Sequence, residues 1–337
     1  MNSEHEGLAE RRGRLLVLAL VALIAGVASG LLGAAFRLAL ARCDRFRDSL
    51  VAWAQGQALA GFLLIIGMAT AATALAAWLV RRFSPDATGS GIPVVEAELK
   101  EKRPDAPLCL IPVKFLGGLL AIGAGLALGR EGPTIRMGAS LAHLLGTTFR
   151  RDRDECRALL AAGAGAGLAT AFNAPIAGAV VVLEELVRRF DTRITITTLG
   201  ASAGAIAVAR VFLGSAPDFH VEPLPHVDFG TVPLHIVLGT VAGVLGVTYN
   251  RALLGALTAA TQFSRLPVEL RAALVGATVG SLAWFAPGVV GGGDAITQQT
   301  LAGKEVLSML SLAFAASASV RFQETVILPV VTGRGTR

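Results

Sequence analysis

The chain has 337 residues, of which 53% are hydrophobic and only 16% charged. A soluble protein this apolar would have to hide nearly all of its surface, so the composition excludes an ordinary soluble domain and points to lipid as the solvent. The net charge of +6 is scattered in short clusters between apolar runs. That pattern suits positive loops beside membrane segments and speaks against a nucleic-acid-binding face.

Residues 1–14, with Arg11, Arg12 and Arg14, are expected on the cytoplasmic side. The apolar stretch that follows runs past Leu40, too long for the core of a cleavable signal peptide. Apolar stretches lie near 15–41, 51–80, 108–128, 157–187, 197–213, 232–258, 271–286 and 305–318. A spanning helix needs about 20 apolar residues, and several of these stretches are cut by Gly or Pro. The expected fold is therefore an all-α polytopic membrane bundle with broken and re-entrant helices, irregular only where they line a cavity. The 39 glycines suit closely packed membrane helices. The basic clusters at 150–157 and 188–193 are expected on the cytoplasmic side, and the stretch 215–234, without Lys or Arg, outside. Arg42, Arg45 and Arg47 fit this topology less well, because it places them outside. Cys43, Cys109 and Cys156 are far apart, without metal or disulfide spacing, and read as small apolar residues.

The sequence also echoes itself. GLLGAAF at 30–36 returns as GVLGVTY at 243–249. Trp78, Pro85 and the glycines of TGSGIP follow the first copy; Trp284, Pro287 and the glycines at 291–293 follow the second. Two echoes in the same order predict a structural repeat of the kind found in transporters built from paired halves. The expected divisions are a cytoplasmic segment 1–14, a first membrane repeat 15–213, an external loop 214–231, a partial second repeat 232–318 and an atypical tail 319–337. A second unit as long as the first, counted from Gly243, would run past Arg337, so the second repeat is expected to be incomplete.

Two motifs stand where apolar helices would begin: Gly89-Ser90-Gly91-Ile92-Pro93 and Gly129-Arg130-Glu131-Gly132-Pro133. Proline suits a first helical turn, and glycines let backbone N–H groups approach what lies ahead. Helix N-termini carry partial positive charge and unpaired donors, so each motif is a candidate anion site, with Ser90 adding a hydroxyl. Dipole ends and a hydroxyl hold an anion weakly enough to release it, where a buried Lys would not. The plainer alternative is two ordinary loop-to-helix turns. Glu131, beside Gly132 in an apolar run, is a functional candidate by default, since a carboxylate there is costly. Ionised, it would occupy the anion position; protonated, it would vacate it, which makes it a proton-dependent gate. The pair Glu184 and Glu185, after PIAGAVVVL and before Arg188, is the second candidate. Two solvated helix-end carboxylates paired with arginines are the alternative there. Gly163, Gly165 and Gly167 mimic a dinucleotide fingerprint, but RDECRALLAA before them reads as a helix rather than a strand, which favours helix packing. No nucleophile–base or metal-ligand constellation appears, so neither an enzyme nor a metal site nor any cofactor is expected.

GSGIP, PVKFLGG, GREGP and FNAPIAGAVVVLEEL, in this order, resemble the successive signatures of the chloride channel/transporter (CLC) family, in its bacterial form, over roughly 15–303. The resemblance implies an inverted-repeat bundle, a chloride site built by Ser90 and the backbone around Ile92, and Glu131 as external gate. It also implies Glu185 as an internal proton glutamate, which channel members typically lack, hence a chloride/proton antiporter. The alternatives are a passive chloride channel and a truncated remnant that does not transport. The implied partners are chloride, protons, membrane lipid and a second copy in a homodimer, with FNAPIAGAVVVLEEL at its interface, in an inner (plasma) membrane and without nucleic acid. The family's third anion motif, a Gly-Gly-aromatic-Pro turn, is absent from SASVRFQETVILPVVTGRGTR, and the family's inner tyrosine has no counterpart, Tyr249 lying elsewhere.

Overall fold

The structure is a computed structural model that describes residues 2–101, 107–188, 190–216, 229–262 and 266–301. The apolar stretch 305–318, the tail 319–337, Arg189 and most of the expected external loop lie outside the described residues. Every regular element among the described residues is helical. In chain order, α1 (Asn2–Gln55), α2 (Ala58–Phe83), α3 (Gly91–Leu99), α4 (Leu110–Gly123) and α5 (Glu131–Thr148) are followed by α6 (Arg153–Phe172) and α7 (Pro175–Val181). The last four are α8 (Thr192–Leu213), α9 (Val232–Gln262), α10 (Val268–Phe285) and α11 (Asp294–Leu301). Five helices among the described residues are long and apolar enough to cross a membrane. By contrast α3, α7 and α11 have 9, 7 and 8 residues, too few to cross about 30 Å of hydrocarbon. The expected interruptions are real.

One expectation is corrected. The stretches 15–41 and 51–80 are not separated at the arginines: α1 continues through Arg42, Arg45 and Arg47 to Gln55. No Gly or Pro lies between Ala34 and Gln55 to stop it, and Arg47 pairs with Asp44 at 2.7 Å and Asp48 at 3.1 Å. The break comes at Gly56 and at Ala58, which has φ +48°.

The described residues fall into two compact units, drawn from Met1–Cys43, Leu79–Leu119 and Gly129–Asp218, and from Asp44–Trp78, Leu120–Leu128 and Phe219–Arg337. In the first unit α6 is the central element. Its residues from Ala158 to Ala171 are all buried, which small side chains permit. A Cβ on Gly163 would strike the Gly138 carbonyl of α5, and one on Gly167 the Thr134 carbonyl. The helices thus touch through their backbones, as membrane helices with small residues do. The same device joins α1 to α8, where Gly26 and Gly30 lie on Ala201 and Ala205. Asp152 starts α6 as an N-cap, its side chain accepting from the Glu155 N–H at 2.8 Å. The glycines that mimic a dinucleotide fingerprint are therefore helix-packing residues inside α6.

In the second unit Val51, Ile65, Val275, Val279 and Val290 share one core, and the Phe62 ring meets Trp284 edge to face at 5.7 Å. The Gly291 N–H donates to the Gly125 carbonyl at 3.0 Å. Here α10 ends at Phe285, a 3-10 turn covers Pro287–Val289, and the glycines lead into α11. The stretch after α2 has the same succession: a 3-10 turn at Pro85–Ala87, glycines, then the short α3.

Candidate functional site

The site candidates of the first unit converge on the starts of α3 and α5. Ser90 is the N-cap of α3, with extended backbone (φ −68°, ψ 141°), and its hydroxyl makes no capping bond to its own helix. The reason is local. A serine N-cap bonds the N–H of the second or third helical residue; the third here is Pro93, which has none, and the hydroxyl does not take the second, that of Ile92. The hydroxyl and the first amides of α3, those of Gly91 and Ile92, are left facing outward from the helix end. Gly89, just before, takes a φ of +82°, which turns the chain into the helix.

α5 is built alike. Arg130 is its N-cap, Glu131 its first residue and Pro133 its third, so the amides of Glu131 and Gly132 are the free ones. Gly129 has φ +67°, and a Cβ there would collide with the Glu131 carboxylate. The carboxylate is therefore folded back over Gly129, at the positive end of its own helix, where a negative charge is stabilised.

These two helix starts touch. A Cβ on Gly91 would run into the Gly132 carbonyl, and one on Gly132 would come 3.4 Å from the Gly91 nitrogen and 3.9 Å from Ser90 Oγ. Sequence spacing gave no distance between the two motifs; the fold puts Ser90, Gly91 and Gly132 side by side. Of the other candidates, Ile92 is half-buried, Pro93 exposed and Pro133 buried. Pro133 lies under Gly118 of α4, whose glycine also admits the Phe36 ring; Phe36 stacks edge to face on Phe115 at 5.3 Å.

Two features were not singled out from the sequence. Lys114 of α4 reaches back to donate to the Ala87 and Gly89 carbonyls, both at 2.8 Å, and so braces the loop that delivers Ser90. The signal was a lone Lys inside an apolar run, which is a site candidate by default. The second is a buried ion pair between Glu98 of α3 and Arg136 of α5. Lys114 also qualifies the expectation of a site remote from any full cation, since its ammonium sits on the turn before Ser90.

Glu184 and Glu185 lie away from the helix starts. They belong to a π-helical turn, Val182–Val187, that continues α7, and both are exposed. Arg188, with φ +55°, ends that turn and comes 4.0 Å from Glu96 of α3. At the same end of α3, Arg157 hydrogen-bonds to the Leu99 carbonyl and lies 3.1 Å from Glu101. Arg14 pairs with Asp152. One arginine from each basic cluster, Arg14, Arg157 and Arg188, is thus engaged with a neighbouring acidic group or helix end. The nine residues of α3, about 13 Å of helix, separate the Ser90 end from this basic end.

Comparison with known proteins gives the same architecture. A sequence model of the family described as "Voltage gated chloride channel" matches residues 72–322. The H(+)/Cl(-) exchange transporter ClcA of Salmonella arizonae is 33% identical over 90% of this chain and 68% of its own length. That of Yersinia pestis is 36% identical over 92% of this chain and 69% of its own. The crystal structure of a slow cyanobacterial Cl-/H+ antiporter superposes with a TM-score of 0.81 at 33% identity, covering 93% of this chain and 73% of that one. The family model, the relatives and the superposition agree on an all-α, multi-pass membrane architecture: the chain belongs to the voltage-gated chloride channel (CLC) family.

Proposed function

We propose that this chain exchanges chloride for protons across the inner (plasma) membrane, as one subunit of a homodimer. The observation that carries the reading is the meeting of two helix starts, at Gly91 and Gly132, with the Glu131 carboxylate folded over Gly129 beside them. Outward amides and the Ser90 hydroxyl offer a halide several weak donors, the combination that binds an anion yet lets it leave. Gly89, Ser90, Gly91, Ile92 and Pro93 form one wall of that site, and Gly129, Arg130, Gly132 and Pro133 the other. Glu131 is the proton-dependent gate: charged, it competes with chloride for the helix ends; protonated, it yields them.

The exchanger names of the Salmonella and Yersinia relatives support antiport. Glu185 is the second proton station, exposed beside Arg188 at the basic end and so open to protons from that side. Exposed Ile176 and Val180 on α7 support a subunit interface on that face. The recurring order of Pro turn, glycines and short helix after α2 and α10 supports a repeat. A passive chloride channel is the second reading, favoured by the description of the matching family; an acid at Glu185 speaks against it.

The test uses protein reconstituted in liposomes under a chloride gradient. Protons should move uphill, opposite to chloride. Chloride movement without proton movement would establish the channel instead, and no movement of either would defeat both readings.

A further inference from the structure

The strongest unassigned feature is the Glu98–Arg136 pair. Both side chains are almost wholly buried, at 2% and 3% exposure, and they are joined by two parallel bonds, one of 2.6 Å. Glu98, at least, stands where its own helix does not favour it. Glu98 is in the last turn of α3, the negative end of the dipole. Arg136 is little more than one turn after Glu131, near the positive end of α5. A buried ion pair is often no more stabilising than apolar residues of the same volume, so stability alone gives no reason for it.

Its position does. The backbone nitrogen of Arg136 lies 3.3 Å from where a Cβ of Gly91 would stand, so the chain at Arg136 passes behind the contact of the two helix starts, while its guanidinium reaches Glu98, seven residues along α3 from Gly91. Lys114 already brings one ammonium to the turn before Ser90. A second, uncompensated cation behind α5 would hold a halide too firmly for it to leave.

We propose that Glu98 is a positioning and neutralising residue for the anion site: it locks α3 to α5 and cancels Arg136, so that chloride is held by helix ends and released quickly. This rests on the reading of Ser90, Gly91 and Gly132 as an anion site.

A purely structural pair and a neutralising pair differ in sign. Chloride affinity is measured by calorimetry on purified protein, with turnover from liposome flux. Glu98→Gln should tighten chloride binding and Arg136→Gln should weaken it, each by roughly three- to tenfold, the effect of a screened unit charge one or two helical turns away. Turnover of Glu98→Gln should fall as its affinity rises. The double variant Glu98→Gln/Arg136→Gln keeps the shape and removes both charges; its affinity should return to within about twofold of the unaltered protein. If the single variants do not fold, the double variant alone decides. Equal or same-direction shifts in the singles, or a double variant displaced by more than about tenfold, would overturn the proposal. An unaltered protein that binds no chloride would bring down the anion-site reading itself, an outcome distinct from the other two.

Discussion

Gly91 and Gly132 meet backbone to backbone, but they are not equivalent. A side chain on Gly91 points into the Gly132 carbonyl, whereas one on Gly132 reaches the Gly91 nitrogen at 3.4 Å, an ordinary contact distance. Gly91→Ala must therefore push the two helix starts apart, and Gly132→Ala need not. The expected result is a loss of chloride affinity of about tenfold or more in Gly91→Ala, the cost of unmaking a set of hydrogen bonds. Gly132→Ala should stay near the unaltered value. Calorimetric titration with chloride checks both, and equal losses would contradict the geometry.

Glu131 and Glu185 separate gate from proton entry. Glu131→Gln carries a permanently neutral side chain over Gly129, so it cannot compete with chloride for the helix ends. Chloride flux should persist, lose its acceleration by acid, and move no protons. Glu185→Gln leaves the gate in place, so chloride flux should continue and keep its response to external pH while proton movement stops. Paired chloride-electrode and pH-electrode recordings from the same liposomes distinguish the two patterns. Unchanged proton movement in Glu131→Gln would remove it from the mechanism.

Much of this was legible in the sequence because its signals are local. A proline at the third helical position and glycines before it announce the starts of α3 and α5, and the short apolar runs announce helices that stop inside the membrane. What the sequence withheld was pairing across long separations. Nothing local brings Gly91 to Gly132, or Glu98 to Arg136; α3 and α5 come together in a core shared with α6 that includes Val95, Ile135 and Leu160. The continuous α1 was missed for a related reason. A cluster of charges suggests a loop, but Arg47 pairs with Asp44 and Asp48 within the helix. Lys114 could have been found: an ammonium in the apolar run IPVKFLGG requires an acceptor, and two carbonyls supply it.

Lys114 should matter for affinity more than for assembly. Lys114→Met keeps the length and apolar stem but gives up both charge-assisted bonds to the loop ahead of Ser90, and removes an ammonium from the site's neighbourhood. Both effects act in one direction. Chloride binding should weaken by roughly tenfold, with the protein still monodisperse in detergent. Lys114→Arg retains the charge and donors and should recover part of the loss. Size-exclusion chromatography followed by chloride titration checks both; tighter binding in Lys114→Met would show that the bracing of the loop is not its role.

The echo between 30–36 and 243–249 makes a sharper test of packing, because its two halves sit in different surroundings. Gly30 is pressed on α8: a Cβ would meet the Ala205 carbonyl, and Gly26 one turn earlier meets Ala201 in the same way. Leucine at position 30 must separate the helices, and overpacking of this kind costs about 1–3 kcal/mol. Gly243 of α9 has no neighbour within 4 Å of an added Cβ among the described residues, so leucine there strikes none of them. The expected outcome is a lowered unfolding temperature in detergent for Gly30→Leu and an unaltered one for Gly243→Leu, read by fluorescence-monitored melting. Equal melting points would mean that α1 and α8 do not depend on this close approach, and a selective fall for Gly243→Leu would mean that α9 is covered by a partner.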